Sequence, residues 1–194
     1  MNQIATFFNA MAEQWDTICK HNPDKIQLIL QLADLPEKAS VLDVGCGTGI
    51  LEPYLLSYFP RQLTAIDIAP QMIEKAQCKY TDNSYIPDFR CMDIMDLHDE
   101  QFDFIFIYSA YPHFLQPEHL FRHLSGLLNP GGKLIICHSD SKEKINNHHK
   151  KHLREELSLD LPPAQDVAAL MKPYFKVPVI IDTEKLYMVI GQLN

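Results

Sequence analysis

Apolar positions first recur at a helical spacing. Ile4, Phe7, Phe8, Met11 and Trp15 share one face, Asn22-Pro23-Asp24 interrupts, and Ile26, Leu28, Ile29, Leu30 and Leu32 predict a second helix. From position 40 the pattern changes. Runs rich in branched and aromatic residues at 41–44, 63–66, 102–108 and 133–137, with a weaker one at 88–92, read as strands, and the segments between them read as helices. Such alternation predicts a parallel sheet covered on both faces.

Local signals set the boundaries. Pro70 sits in the first turn of a helix expected over 71–80, where its missing N–H costs nothing. Asn129-Pro-Gly-Gly132 is expected to stop a helix over 117–128 ahead of the next strand. A polar helix is expected over 141–157, and another from Pro162-Pro163 to near Pro173. Two final strands, 177–181 and 186–190, flank Asp182-Thr-Glu-Lys185 and predict an antiparallel hairpin. With no linker or repeat, residues 1–194 read as a single domain, a helical cover over 1–36 and a core over 37–194.

Composition narrows the class. A content of 46% hydrophobic and 22% charged residues is that of a globular chain. The net charge of -8 argues against a nucleic-acid partner, whose affinity rests on Lys and Arg. The basic run His148-His-Lys-Lys-His152 is short, precedes Glu155-Glu156 and reads as a solvated helix face. Five cysteines without CxxC pairing suggest a reduced, cytoplasmic protein. Neither a basic leader nor 18 consecutive apolar residues occur, so neither secretion nor a membrane span is expected.

The chemistry concentrates in Val41-Leu-Asp-Val-Gly-Cys-Gly-Thr-Gly-Ile50. Glycines at alternate positions between a strand and a helix fit a backbone that turns sharply against a ligand, at the carboxyl edge of a parallel sheet. A dinucleotide loop needs G-x-G-x-x-G, but the third glycine would fall on Ile50 or Glu52; no Gly-Lys-Ser/Thr follows for a Walker loop either. Asp67, ending the next strand, is placed to accept ribose hydroxyls. Asp93, ending the one after, is placed to accept from an adenine amino group.

At these residues the sequence resembles the class I, Rossmann-like S-adenosylmethionine methyltransferases, especially the small ubiquinone/menaquinone-biosynthesis type. The first motif is Val41-Leu-Asp-Val-Gly-Cys-Gly-Thr-Gly49, Asp67 matches the ribose acid, and Asp93-Ile94 the adenine contact. Phe102-Asp103 opens the fourth-strand motif, and Leu128-Asn-Pro-Gly-Gly-Lys-Leu134 matches the turn before strand five. The resemblance implies an α/β three-layer sandwich with a seven-stranded, mostly parallel sheet of order 3-2-1-4-5-7-6, strand 7 antiparallel, and N-terminal cover helices. It implies S-adenosyl-L-methionine as cofactor and S-adenosyl-L-homocysteine as product, held by Asp43, Gly45, Cys46, Gly47, Gly49, Asp67, Ile68, Met72, Asp93, Ile94, Tyr108 and Ser109, with Trp15 in the cover. Where this chain has Trp15-Asp16, the family pattern carries Tyr-Asp.

Methyl transfer from a sulfonium needs alignment in a dry pocket, and a base only if the acceptor carries a proton. With no appended recognition domain, the acceptor is expected to be a small molecule. Candidate catalytic residues are His113 after strand four, His138 ending strand five, and His149, three residues beyond Asn146 on the following helix; His21 follows the N-terminal helix. Two alternatives stay open, a histidine base and metal-assisted transfer. No metal site is assigned, and the zincin pattern fails because position 149 is His where Glu is needed. A non-catalytic cofactor-binding module is the competing class.

Overall fold

A computed structural model describes residues 2–81, 85–152 and 157–194. Asn2 caps helix α1 (Gln3–Met11) by accepting from the N–H groups of Ile4 and Ala5; a 3-10 turn leads into the short α2 (Trp15–Ile18). Asn22 caps α3 (Pro23–Ala33) in the same way, with Pro23 in the first turn and Asp34 left-handed at its end.

The core then alternates: β1 (Ser40–Val44), α4 (Glu52–Leu56), β2 (Gln62–Asp67), α5 (Pro70–Cys78), β3 (Asp88–Cys91), β4 (Phe102–Tyr108), α6 (Pro117–Gly126), β5 (Leu128–His138), α7 (Lys142–His152), α8 (Ala164–Met171), β6 (Phe175–Asp182) and β7 (Tyr187–Leu193). One seven-stranded sheet results, of order β3-β2-β1-β4-β5-β7-β6. Strands β1 to β5 pair in parallel, and β7 runs antiparallel to both β5 and β6. Both the expected order and the closing hairpin are present.

Alternate residues of each central strand enter opposite cores, as the two-residue period requires. On one face Val41, Phe104, Phe106, Ile135 and Met188 pack with Ile26, Ile29 and Leu30 of α3. On the other, Leu42, Ile105, Ile107, Leu134 and Ile136 pack with Phe121 and Leu124 of α6 and Val167 and Met171 of α8. The strands are therefore nearly continuous apolar runs. At the amino edge Asp103 ties three elements together. Its Oδ2 accepts from Ser40 N (2.9 Å) and Arg61 Nη2 (3.0 Å), and its Oδ1 accepts from Asn129 Nδ2 (2.7 Å).

Some boundaries differ from expectation. The helix expected over 117–128 ends at Gly126, and Asn129-Pro-Gly-Gly132 lies inside β5 instead of preceding it. Leu128 already pairs with Phe102, and a register shift between Phe102 and Phe104 absorbs the turn-like residues as a bulge. The helix after the glycine loop is only five residues long. Of the polar helix expected over 141–157, residues 142–152 are helical, and 153–156 lie outside the described residues.

Candidate active site

The carboxyl ends of β1 to β5 open onto one cavity of about 990 Å³, roofed by α1 and α2. Parallel sheets place ligands here, beside the switch in strand order, which falls between β1 and β4. Gly45, Gly47 and Gly49 all adopt positive φ. A Cβ on Gly45 would lie 2.7 Å from Ala110 Cβ, so only glycine lets this loop lie against the end of β4. Asp67 shapes the loop from below. Its Oδ2 accepts from Gly47 N (2.9 Å) and its Oδ1 from Ala69 N (2.8 Å). Burial raises the Asp67 carboxyl above its usual range, opposed by those same N–H groups. Each carboxylate oxygen keeps a second lone pair for a ligand hydroxyl.

Asp43, Gly45, Cys46, Gly47, Asp67, Ile68, Met72, Asp93, Ile94, Tyr108, Ser109 and Trp15 all line the cavity. Gly49 does not. Its missing Cβ would meet Ala76, Tyr80 and Glu52, so it serves the packing of α5 against the loop. Asp93 also caps a 3-10 turn, accepting from Met95 N at 3.0 Å. Trp15 Nε1 would lie 3.7 Å from a Cβ on Gly47, so the indole stands over the loop. The cover is fastened beside it: Asp16 accepts from Thr48 Oγ1, and its other oxygen pairs with Lys79 Nζ at 2.6 Å.

The opposite end of the cavity carries the histidines. His113 and His149 line it, with ring centroids 5.3 Å apart. His113 Nδ1 donates to Leu157 O (3.0 Å), so in the neutral ring Nε2 holds the lone pair. Burial lowers its proton affinity. His149 Nδ1 bonds Ser158 Oγ at 2.8 Å, and burial with the neighbouring His113 lowers its pKa to about 4. His138 stands apart from the other two. It is 1% exposed behind the cavity wall, its ring meets Tyr187, and neither nitrogen has a hydrogen-bond partner. Burial takes its pKa down to about 3, with His149 and His113 adding to the effect. Asn146 anchors the backbone of Leu161 from both sides and has a structural role. Among the described residues no three His, Cys, Asp or Glu side chains form a metal-holding group.

Two contributors, Phe8 and Glu52, escaped the sequence as site residues, while His21, a candidate there, finds its partner in the structure. Phe8 of α1 contacts both Trp15 (5.4 Å) and His113 (4.9 Å), joining the two ends of the cavity. His21 Nδ1 lies 2.7 Å from Tyr108 Oη, which donates to Ser139 Oγ at 2.9 Å. Glu52 lies fully buried behind the glycine loop; a carboxylate inside the apolar run Ile50 to Leu56 was its only signal.

A glycine cradle, three carboxylates on successive strand ends and an apolar roof fit an adenosyl amino acid. Sequence comparison points the same way: the methyltransferase domain model matches residues 42–136. The match makes the chain similar to the class I S-adenosylmethionine-dependent methyltransferases. The ubiquinone biosynthesis O-methyltransferase of Xanthomonas oryzae pv. oryzae (strain PXO99A) is 32% identical to this chain over 139 residues, 66% of this chain and 57% of that protein. The chain thus spans under two thirds of that relative's length. Two solved structures share the fold. The N-methyltransferase NodS from Bradyrhizobium japonicum WM9, in complex with S-adenosyl-L-homocysteine, has a TM-score of 0.70 at 17% identity and 99% coverage of both chains. A putative methyltransferase complexed with the Haloferax volcanii Trm112 methyltransferase activator has a TM-score of 0.74 at 18% identity, covering 96% of this chain and 97% of the other.

Proposed function

We propose that this methyltransferase, as a single domain over residues 1–194, transfers a methyl group from S-adenosyl-L-methionine to a small-molecule acceptor. One observation carries the reading: a single cavity has the glycine loop and Asp67 at one end and basic imidazole at the other. When bound, the cofactor supplies a methyl group on a sulfonium, leaving S-adenosyl-L-homocysteine as product. Asp67 and Asp93 hold the ribose and adenine, while Ile68, Met72 and Trp15 exclude water around them. Removing water strengthens each of those polar contacts.

At the other end, His113 and His149 are proposed to activate the acceptor, with His138 packed behind them. His113 Nε2 takes the acceptor's proton, and Leu157 O holds the ring in the required tautomer. His149 lies beside it, and His138 closes the wall behind. An oxygen nucleophile is favoured, because the ubiquinone-biosynthesis relatives are O-methyltransferases by name and a hydroxyl needs a base. The free cysteines fit a reducing, cytoplasmic setting.

The test is to incubate the protein with methyl-labelled cofactor and fractionated cell metabolites. Label should enter a small molecule; label in nucleic acid alone, or in nothing, contradicts the proposal. His113→Gln should then bind S-adenosylhomocysteine normally and lose turnover by about 10²-fold or more, the range of general-base contributions. Full activity in that variant removes His113 from the chemistry.

A further inference from the structure

Two buried carboxyls have no place in the steps above. Asp43 at the end of β1 is 2% exposed and Glu52 at the start of α4 is 0% exposed. Asp43 Oδ1 and both Glu52 oxygens have no hydrogen-bond partner. The two side chains face one another, since each is the other's electrostatic neighbour. As carboxylates both are acceptors only, so neither can satisfy the other. A pair of ionised carboxylates, unpartnered and out of water, is costly on desolvation and on repulsion. A single proton removes most of that cost: one acid becomes a donor, the other its acceptor, and one negative charge is neutralised.

Other relief for the pair is partial: the backbone N–H groups of Glu52 and Leu51 act against the burial of Glu52, and burial still outweighs them. From the neighbouring elements Cys46, Cys137, Tyr80 and Asp67 face the pair, and the cation within reach of Glu52 is Lys79, already engaged with Thr48 O and Asp16. Burial accordingly pushes Glu52 up to about 7 and Asp43 well above the usual carboxylate range. Of the two, Asp43 lines the cavity and Glu52 stands behind it. The sheet order sets what Asp43 meets. Adenine at Asp93 beyond β3 and ribose at Asp67 on β2 leave the amino-acid end of the cofactor over β1 and β4, beside Asp43.

We propose that Asp43 and Glu52 share one proton in the free protein and release it to solvent when the ammonium group of the cofactor's amino acid settles beside Asp43. Glu52 is then a positioning residue, which holds Asp43 neutral until a cation replaces the proton. The proposal rests on the cofactor assignment above. It makes binding of the cofactor and of its product tighten as pH rises toward the range of the pair.

Calorimetric titration of the whole chain near neutral pH, with S-adenosylhomocysteine in buffers of different ionisation enthalpy, tests it. The wild type should release about one proton per ligand bound. Adenosine, which fits the same subsite without an ammonium group, should release essentially none. Glu52→Gln offers Asp43 an amide N–H, so Asp43 is ionised beforehand and binding should persist with no proton release. A binding enthalpy that is the same in every buffer overturns the proposal, as does equal proton release with adenosine or in Glu52→Gln. No heat with either ligand at any pH overturns the cofactor assignment itself, a result distinct from binding without proton release. Should Glu52→Gln fail to fold, the comparison of the two ligands on the wild type still decides.

Discussion

Asp67 combines an architectural task with the ribose contact proposed for it. Its two oxygens hold the N–H groups of Gly47 and Ala69 while one edge faces the cavity. Asp67→Ala therefore loses the ribose contact and also orphans two loop donors. S-adenosylhomocysteine affinity should fall at least about tenfold, in line with the loss of a hydrogen bond to a charged group. Isothermal titration checks it, and unchanged affinity would leave Asp67 a purely structural residue. The place of Asp67 at the cavity was legible from the strand-end aspartate one unit after the glycines. What could not be read was which glycine lines the cavity and which faces protein, because Gly49 lies against Ala76 of α5 and Tyr80 just beyond it, distant in sequence, and its φ of +80° is what calls for glycine. His138 was hidden for the same reason: its strand-end position is plain in the sequence, but burial behind Tyr187 depends on the antiparallel pairing of β5 with β7.

At the scale of elements, alternation of strands and helices was legible because each strand is buried on both faces. Turn chemistry misled once, at Asn129-Pro-Gly-Gly132, where tertiary pairing with β4 overrides a local stop signal. The cover is the element whose placement sequence pattern cannot supply, since its fastenings are polar and long-range. Asn9 Oδ1 accepts from Gln71 N (2.9 Å), Glu13 pairs with Lys75, and Asp16 engages both Thr48 and Lys79. Exposed ion pairs contribute little each, but Thr48 is wholly buried and its hydroxyl is held by Asp16. Asp16→Ala should loosen the roof and speed cofactor release several-fold while changing the melting temperature little. The fluorescence of Trp15, the single tryptophan, reports it by stopped flow. A release rate equal to the wild type would mean that α1 and α2 close the site without this tether.

Taken whole, the molecule gathers carboxyls around the glycine loop and buries imidazoles elsewhere about the same cavity. That burial has a consequence for stability. In the fold His138 titrates near 3 and His149 near 4, against 6.5 in an unfolded chain. Below pH 6.5 the unfolded chain takes up protons that the folded one refuses, so stability is lost as pH falls from about 6.5 toward 4. The raised carboxyls of Glu52, Asp43 and Asp67 act in the opposite sense over the same range, so the test is the difference between wild type and His138→Leu, whose melting temperatures should shift in the variant's favour as pH falls; an unchanged difference would mean that His138 is charged in the fold. The central claim is that the loop from Gly45 to Gly49 receives S-adenosylmethionine, and competition binding tests it most directly. Radiolabelled S-adenosylmethionine should bind one per chain, be displaced by S-adenosylhomocysteine, and be left in place by NAD. Binding of NAD with no retention of S-adenosylmethionine would contradict it.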